Sequence, residues 1–289
     1  MFNTFYLKNK NSTNKNIDQS KRLNTTRVVL FTNARNEKYI LEWIAHHLGL
    51  GFDNIIIFDH KSIVPISSLI KKQNKVFVKR IEMDGAIKLT LMKMAVKIAR
   101  SLNADWMLYL DADEFLHLRF YKNVKHLLNN YYFADSLAIN WLMFGSNNLI
   151  KDPTSLMIEA YTKSEPLLDQ HVKTFVRPQV VKQVTNPHFY VIYDTRKMFG
   201  LPFKLLSPPY SFNKTNLPYE QIGAYIAHYV YQSEESYKRR KTMLPADDTG
   251  TFRNIDENIH IHYNKVNNNE LKKKYVNKIL YIINQIKNF

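Results

Sequence analysis

Short solid runs of apolar residues, each closing in a polar turn, set the rhythm of the chain as far as Phe115. They fall at 27–32, 54–58, 76–79 and 106–110. A run without alternation is the pattern of a strand covered on both faces, as in a parallel sheet. Between the runs the period lengthens. Ile40, Leu41, Ile44 and Leu48 share one face of a helix expected over 37–48, which Gly49 and Gly51 end. A short helical piece is expected around 66–71. Over 86–102, Ile87, Leu91, Met94, Ile98 and Leu102 form a stripe, with Lys88, Lys93, Lys97 and Arg100 on the other side. Strand and helix alternating in this order predict right-handed crossovers and an α/β fold, with a mostly parallel central sheet flanked by helices.

Beyond Phe115 the pattern loosens. Strands are expected at 136–144, 173–178, 188–192 and within 222–231, and the prolines at 202, 208, 209 and 218 predict a loop over 201–218. Helices are expected at 234–244 and 270–287. In the last of these Leu271, Tyr275, Ile279, Ile283 and Ile286 share a face, and core packing is its expected role.

The first four strands end in Asn33 to Glu37, Asp59, Glu82 with Asp84, and Asp111 with Asp113. Parallel strands put their carboxyl ends at one edge, where open α/β sheets bind ligands. The expectation is one cleft rich in carboxylates. Two Asp side chains one residue apart on a turn leaving a rigid strand suit a hard divalent cation.

The length of 289 residues suffices for one large α/β domain and an appendage, and 45% hydrophobic residues are enough for a core. The opening stretch, 1–26, is polar and rich in Asn and Lys and is expected to be a leader without a fold of its own. No apolar run is long enough to cross a bilayer and no secretory signal heads the sequence, so a soluble, cytoplasmic protein is expected. The absence of cysteine excludes disulfides and thiolate metal sites. A formal charge of +16 points to an anionic partner (nucleic acid, a membrane surface or a phosphorylated substrate), or else reflects solubility alone in a chain biased toward Lys, Asn and Ile. The basic residues are scattered, with modest clusters at 238–241 and 272–274, and no zinc-finger, RNP-type or basic-zipper motif accompanies them. Nucleic acid is not the expected partner.

Three blocks give the chain a resemblance. Asn33-Ala-Arg35-Asn-Glu37-Lys-Tyr-Ile-Leu-Glu42-Trp-Ile-Ala-His-His47, Phe58-Asp59-His-Lys-Ser62 and Leu110-Asp111-Ala-Asp113-Glu-Phe115 resemble motifs of glycosyltransferases of the family 2 and family 92 type. Trp141 to Ser146, Lys173 to Pro178, and His228-Tyr229 with 233–237 follow in that group's order, so that the likeness spans about 27 to 245. It implies a GT-A-like catalytic domain over 27–232, with a Rossmann-like nucleotide-binding half, and a short helical extension over 233–289. It also implies a nucleotide-sugar donor (a UDP-sugar first), a divalent metal (manganese or magnesium), and a glycan, glycoprotein or other hydroxyl acceptor. Under the resemblance Asn33, Arg35 and Glu37 line the nucleoside pocket, with Glu37 near the ribose, and Asp59 contacts the base. Asp111 faces the ribose or metal-bound water, Asp113 ligates the metal, His228 completes its binding, and Lys173 and Arg177 meet the diphosphate. One departure is plain: the helix after Gly85 lacks a Gln near its start.

The chemistry stands apart from the family. A sugar diphosphate needs its leaving-group charge neutralised, and the acceptor hydroxyl needs a positioned base. Glu159, between the presumed acceptor loop and Lys173, is the first candidate base and Asp247 the second. His228 on an apolar strand is otherwise a core histidine. His46 and His47 are expected to pack within the first helix, and His260 and His262 to face solvent. Trp141 and Phe144 are either an acceptor platform or core. Two rival functions remain: a nucleotidyltransferase, which should show a Gly-rich loop after the first strand where this chain has none, and a basic nucleic-acid-binding protein.

Overall fold

The computed structural model describes residues 25–207, 213–243 and 245–288. All but the last two residues of the expected leader lie outside them. Four parallel strands form the first half of the sheet: β1 (Val28–Ala34), β2 (Asn54–His60), β3 (Val76–Ile81) and β4 (Trp106–Tyr109). Next come β5 (Glu114–Leu118), β6 (Ser136–Met143), β7 (Val172–Val176), β8 (Met198–Gly200), β9 (Lys204–Leu205) and β10 (Ala224–His228). The ten strands make one sheet in the order β9-β8-β6-β7-β4-β1-β2-β3, with β10 paired to β5 and β6. Strand β7 runs antiparallel to both its neighbours, while β6 and β10 run parallel to each other. The expected mixed α/β architecture, mostly parallel at its centre, is what the chain adopts.

The solid apolar runs follow from cover on both faces. On one side Leu30, Ile55, Ile57 and Leu108 pack with Trp43 and Ile44 of α1 (Ile40–Gly49) and with Leu271, Tyr275 and Ile279 of the last helix. On the other, Val29, Phe31, Ile56, Phe58 and Met107 pack with Leu91, Met92 and Ala95 of α2 (Lys88–Ser101). Two further helices are α3 (Val124–Asn130), capped by the Asn123 side chain accepting from His126 N at 2.8 Å, and α4 (Glu234–Thr242). The last, α5 (Glu270–Ile286), takes the expected core role: it shares one core with α1, and Lys278 Nζ donates to the Gly49 carbonyl at 2.6 Å. Among the described residues no helix is long and apolar enough to cross a membrane.

Four elements differ from expectation. Helix α1 starts at Ile40, because residues 37–39 form a turn that Ile40 N closes on the Glu37 carbonyl. Strand β5 was not foreseen, since Glu114 and His117 interrupt its apolar pattern; both are buried, beside Lys173 and Glu270 respectively. The strand expected over 188–192 is reduced to Val191–Ile192, and the loop expected at 201–218 includes β9.

Glu42 fastens one loop from inside the core. Its carboxylate accepts from Met157 N at 2.6 Å and Ile158 N at 3.0 Å, the first turn of a short helix, Met157–Ala160. Glu42→Ala is expected to cost roughly 1–3 kcal/mol for each buried N–H left bare, read by denaturant unfolding. Burial pushes the Glu42 carboxyl up to about 8 from 4.5, against the pull of those two N–H groups. A raised acid stabilises the fold fully below its unfolded value and loses that contribution as pH climbs through the folded one. The melting-temperature advantage of the native protein over Glu42→Gln is therefore expected to shrink as pH rises from 4.5 to about 8.

Candidate active site at the carboxyl edge of the sheet

The carboxyl ends of β1 and β4 open into a cleft of about 310 Å³, at the lower end of the range for small-molecule sites. Its acidic turn is built tightly. Asp111 N donates to Glu114 Oε2 at 2.8 Å, and Glu114 N donates to the Asp111 carbonyl at 3.1 Å. The Asp113 carbonyl accepts from Tyr229 N at 3.0 Å, which ties the turn to the end of β10 and brings His228 alongside. His228 Nε2 then lies 3.7 Å from Asp113 Oδ1. On its far side Asp113 Oδ2 accepts from Arg240 Nη1 of α4 at 2.9 Å.

Asp111 faces different partners. Lys173 Nζ from β7 donates to its Oδ2 at 2.8 Å, and Lys88 Nζ from the start of α2 donates to its Oδ1. Burial raises the Asp111 proton affinity, but the two ammonium groups outweigh it and hold the carboxyl well below the usual range. Burial works against the Lys173 charge in turn, and Asp111 and Glu114 more than restore it, so its proton affinity ends above the ordinary lysine value. Glu114 itself is pushed by burial up to about 8, with Lys173 pulling the other way.

The cleft is less acidic than the strand ends suggest. Five acids (Glu37, Asp111, Asp113, Asp247, Asp248) face six bases (Arg35, Lys88, Lys173, Arg240, Lys241, Arg253). Lys88 is the residue that the sequence pattern hid, because it reads as the polar side of an amphipathic helix. It is in fact buried, also donates to Asn33 Oδ1 at 3.0 Å, and lies 4.7 Å from the centre of the Tyr109 ring. Its signal was the departure near the start of that helix. Arg240 was missed for the same reason, as one of a run of surface-like basic residues.

Of the residues singled out earlier, Asn33, Arg35, Glu37, Asp111, Asp113, Lys173, His228 and Asp247 come together on the cleft wall. Asp59, Arg177 and Glu159 do not. Asp59 is buried in its own turn, where Oδ1 accepts from Ser62 N at 3.1 Å and Oδ2 from Ile66 N at 3.1 Å, with Arg80 also at hand. Arg177 sits at the opposite edge, over the Trp106 ring that starts β4, and donates to the carbonyls of Ala134 and Tyr132. Glu159 belongs to the helix that Glu42 pins, outside the cleft lining. Trp141 lines the cleft, within 4.3 Å of the His228 ring, whereas Phe144 is core. His46 and His47 are buried in α1, and His260 and His262 pair with Glu234 and Asp256 away from the cleft.

Glu37 stands apart. Its side chain makes no hydrogen bond or ion pair among the described residues. Burial pushes its carboxyl up to about 7, with Arg240 lowering it and Asp113 raising it.

A divalent cation fits here in one way. Both oxygens of Asp111 are paired with lysines, which neutralise much of its charge. Asp113 Oδ1 and His228 Nε2 converge, and burial keeps the imidazole below its ordinary proton affinity, so that it offers a lone pair. Among the described residues no group of three or more His, Asp or Glu side chains is arranged to hold a metal. The donor set therefore suits an ion whose remaining ligands are phosphate oxygens and water, a common manner of holding magnesium.

No family model matches the chain and no curated relative matches it. Among solved structures, HddC from Yersinia pseudotuberculosis is 12% identical, with 61% of this chain and 90% of that chain covered and a TM-score of 0.35. A putative glucose-1-phosphate thymidylyltransferase from Bacillus anthracis, in complex with a sucrose, is 8% identical over 54% and 73% of the two chains, with a TM-score of 0.35. A UDP-glucose pyrophosphorylase complexed with UDP-glucose is 7% identical over 54% and 78%, with a TM-score of 0.32. Overlaps this loose say nothing about which reaction the chain carries out.

Proposed function

We propose that this chain is an enzyme acting on a sugar nucleotide, and that it transfers the sugar from a nucleoside diphosphate, uridine first, to a hydroxyl of a glycan, glycoprotein or other acceptor. The observation that carries the reading is the convergence of Asp113 with His228 beside the fixed ammonium groups of Lys88 and Lys173. A sugar diphosphate departs with its charge on the phosphates, and preorganised cations stabilise that charge as it develops. A manganese or magnesium ion at Asp113 and His228 supplies Lewis-acid neutralisation of the diphosphate when bound.

The chain's own groups supply the rest. Arg240, fixed on Asp113, and Lys88, anchored on Asn33 and Asp111, orient the phosphates. Trp141 offers a flat face to a sugar ring at the acceptor side. Glu37 is the base of this reading in place of Glu159 and Asp247: it is on the cleft, without an ion-pair partner, and its carboxyl, pushed up to about 7, can take up a proton near neutral pH. It takes the acceptor's proton as the hydroxyl attacks from the face opposite the leaving diphosphate, which inverts the anomeric centre.

Nucleotidyl transfer onto a sugar phosphate is the second reading. The two lysines on Asp111 suit it equally, since a departing pyrophosphate also needs its charge neutralised. Product identity separates the two. Incubation with UDP-glucose and manganese is expected to release UDP and a glycoside or free glucose. Release of pyrophosphate from UTP and glucose 1-phosphate, with no turnover of UDP-glucose, would instead establish the second.

A further inference from the structure

Asp247 occupies a polar niche at the end of the cleft formed by Asn33, Arg35 and His60. Its Oδ2 accepts from Asn33 Nδ2, and its Oδ1 faces Arg35 Nη2 at 3.4 Å and His60 Nδ1 at 3.2 Å. His60 is buried, and its Nε2 donates to the Met83 carbonyl at 2.8 Å, so Nδ1 faces the niche and donates to an anion there only when the ring carries both protons. An amide, a guanidinium and an imidazole from the ends of two neighbouring strands thus converge on one carboxylate. The carboxylate arrives from far along the chain, on a strap over 245–253. Lys88 N donates to the Asp247 carbonyl at 3.0 Å, and the strap turns back on itself through Gly250 N to the Ala246 carbonyl at 2.7 Å. Gly250 has φ +72, and a Cβ there would meet backbone atoms of Gly85 and Ala86 at 2.9 Å, so the strap seats only with glycine at this point.

We propose that Asn33, Arg35 and His60 form a phosphate subsite which the protein's own Asp247 fills, and that a nucleotide phosphate enters by displacing the strap. The choice of phosphate rests on the sugar-nucleotide reading; the competition between strap and ligand rests on the geometry alone. The niche is lined by groups suited to an anion, and its present occupant is an anion. Apparent affinity is the intrinsic affinity reduced by the fraction of molecules with the strap lifted. Asp247 is in this account a competitor of the ligand and not a part of its site.

Calorimetric titration of the full chain with inorganic pyrophosphate, UDP and uridine tests it. Asp247→Ala removes the competing carboxylate, and Gly250→Ala unseats the strap without touching that carboxylate. Each is expected to tighten pyrophosphate and UDP binding by about tenfold and to leave uridine unchanged. Glu165→Ala, whose native side chain pairs with Lys265 outside the cleft lining, is expected to leave all three affinities unchanged. Unchanged or weaker pyrophosphate binding in both strap variants, or a gain confined to uridine, overturns the proposal. Sugar transfer by the native protein is measured separately, so a strap that fails this test leaves the transferase reading standing. A strap that passes it while transfer is absent leaves an anion site with another use.

Discussion

Asp113→Ala is expected to lower sugar transfer by roughly 10³-fold or more, the scale of removing a principal source of transition-state charge stabilisation, while the protein melts almost where the native one does. Asp113 holds one of the two donor atoms at the metal position, and His228 alone is a poor site for manganese or magnesium. The structural cost is small because Arg240, released from Asp113, is partly exposed and regains water. Asp111→Ala should behave differently. It strips a counter-charge from Lys88 and Lys173, both nearly inaccessible, and is expected to lower stability measurably, by less than the roughly 3–5 kcal/mol of a fully buried pair because Asp111 itself is 37% exposed. Loss of activity without loss of stability at 113, and loss of both at 111, is the signature to seek with a transfer assay beside denaturant unfolding. Full activity of Asp113→Ala in the presence of chelator would reject the metal position.

The sheet was legible in the sequence because parallel strands are covered on both faces. Val29 and Phe31 pack on one side and Val28 and Leu30 on the other, so no polar residue interrupts the run. The acidic turn was legible for a related reason: carboxylates at the end of such a run need solvent, partners or a ligand. What the sequence concealed were the partners. Lys88 and Arg240 carry long apolar stems, so a lysine or arginine on the polar side of a helix reads the same whether its head reaches water or a carboxylate, while Lys173 was picked out by its motif for a diphosphate and not for Asp111. The strap was hidden by distance, since Asp247 meets Asn33 at a separation of 214 positions and no local pattern records it. Asp59 and Arg177 show the converse. Both look like ligand groups in their motifs, yet each has its bonding capacity spent on nearby backbone or charge, Asp59 on its own turn and Arg177 at the wrong end of β4.

That difference also bears on how the cleft keeps charge without a ligand. A carboxylate pair held by three basic side chains needs no external cation to remain folded, and the bases are placed where a diphosphate would want them. Binding then exchanges one set of counter-charges for another instead of creating a charged site from nothing, which limits the desolvation cost of the encounter.

Glu37→Gln is expected to lower kcat by about 10²–10⁴-fold with little change in KM, the range for loss of a general base. Glutamine keeps the shape and polarity of the side chain and removes only its ability to take a proton. The pH profile supplies a second readout. A base must be ionised to act, and burial pushes the Glu37 carboxyl up to about 7, so kcat/KM of the native enzyme should fall as pH drops through that value. A cation bound beside Asp113 pulls the carboxyl downward, so in saturating manganese the fall moves to lower pH, and the residual activity of Glu37→Gln should show no such limb. The ribose role implied by family resemblance makes the opposite forecast: a neutral, hydrogen-bonding side chain raises KM for the nucleotide sugar, leaves kcat near its native value and retains the pH limb of whichever group is the true base. The two roles divide on kcat against KM in a single substitution, and a pH series on the same variant decides whether the proton of the acceptor hydroxyl passes to Glu37 Oε or elsewhere.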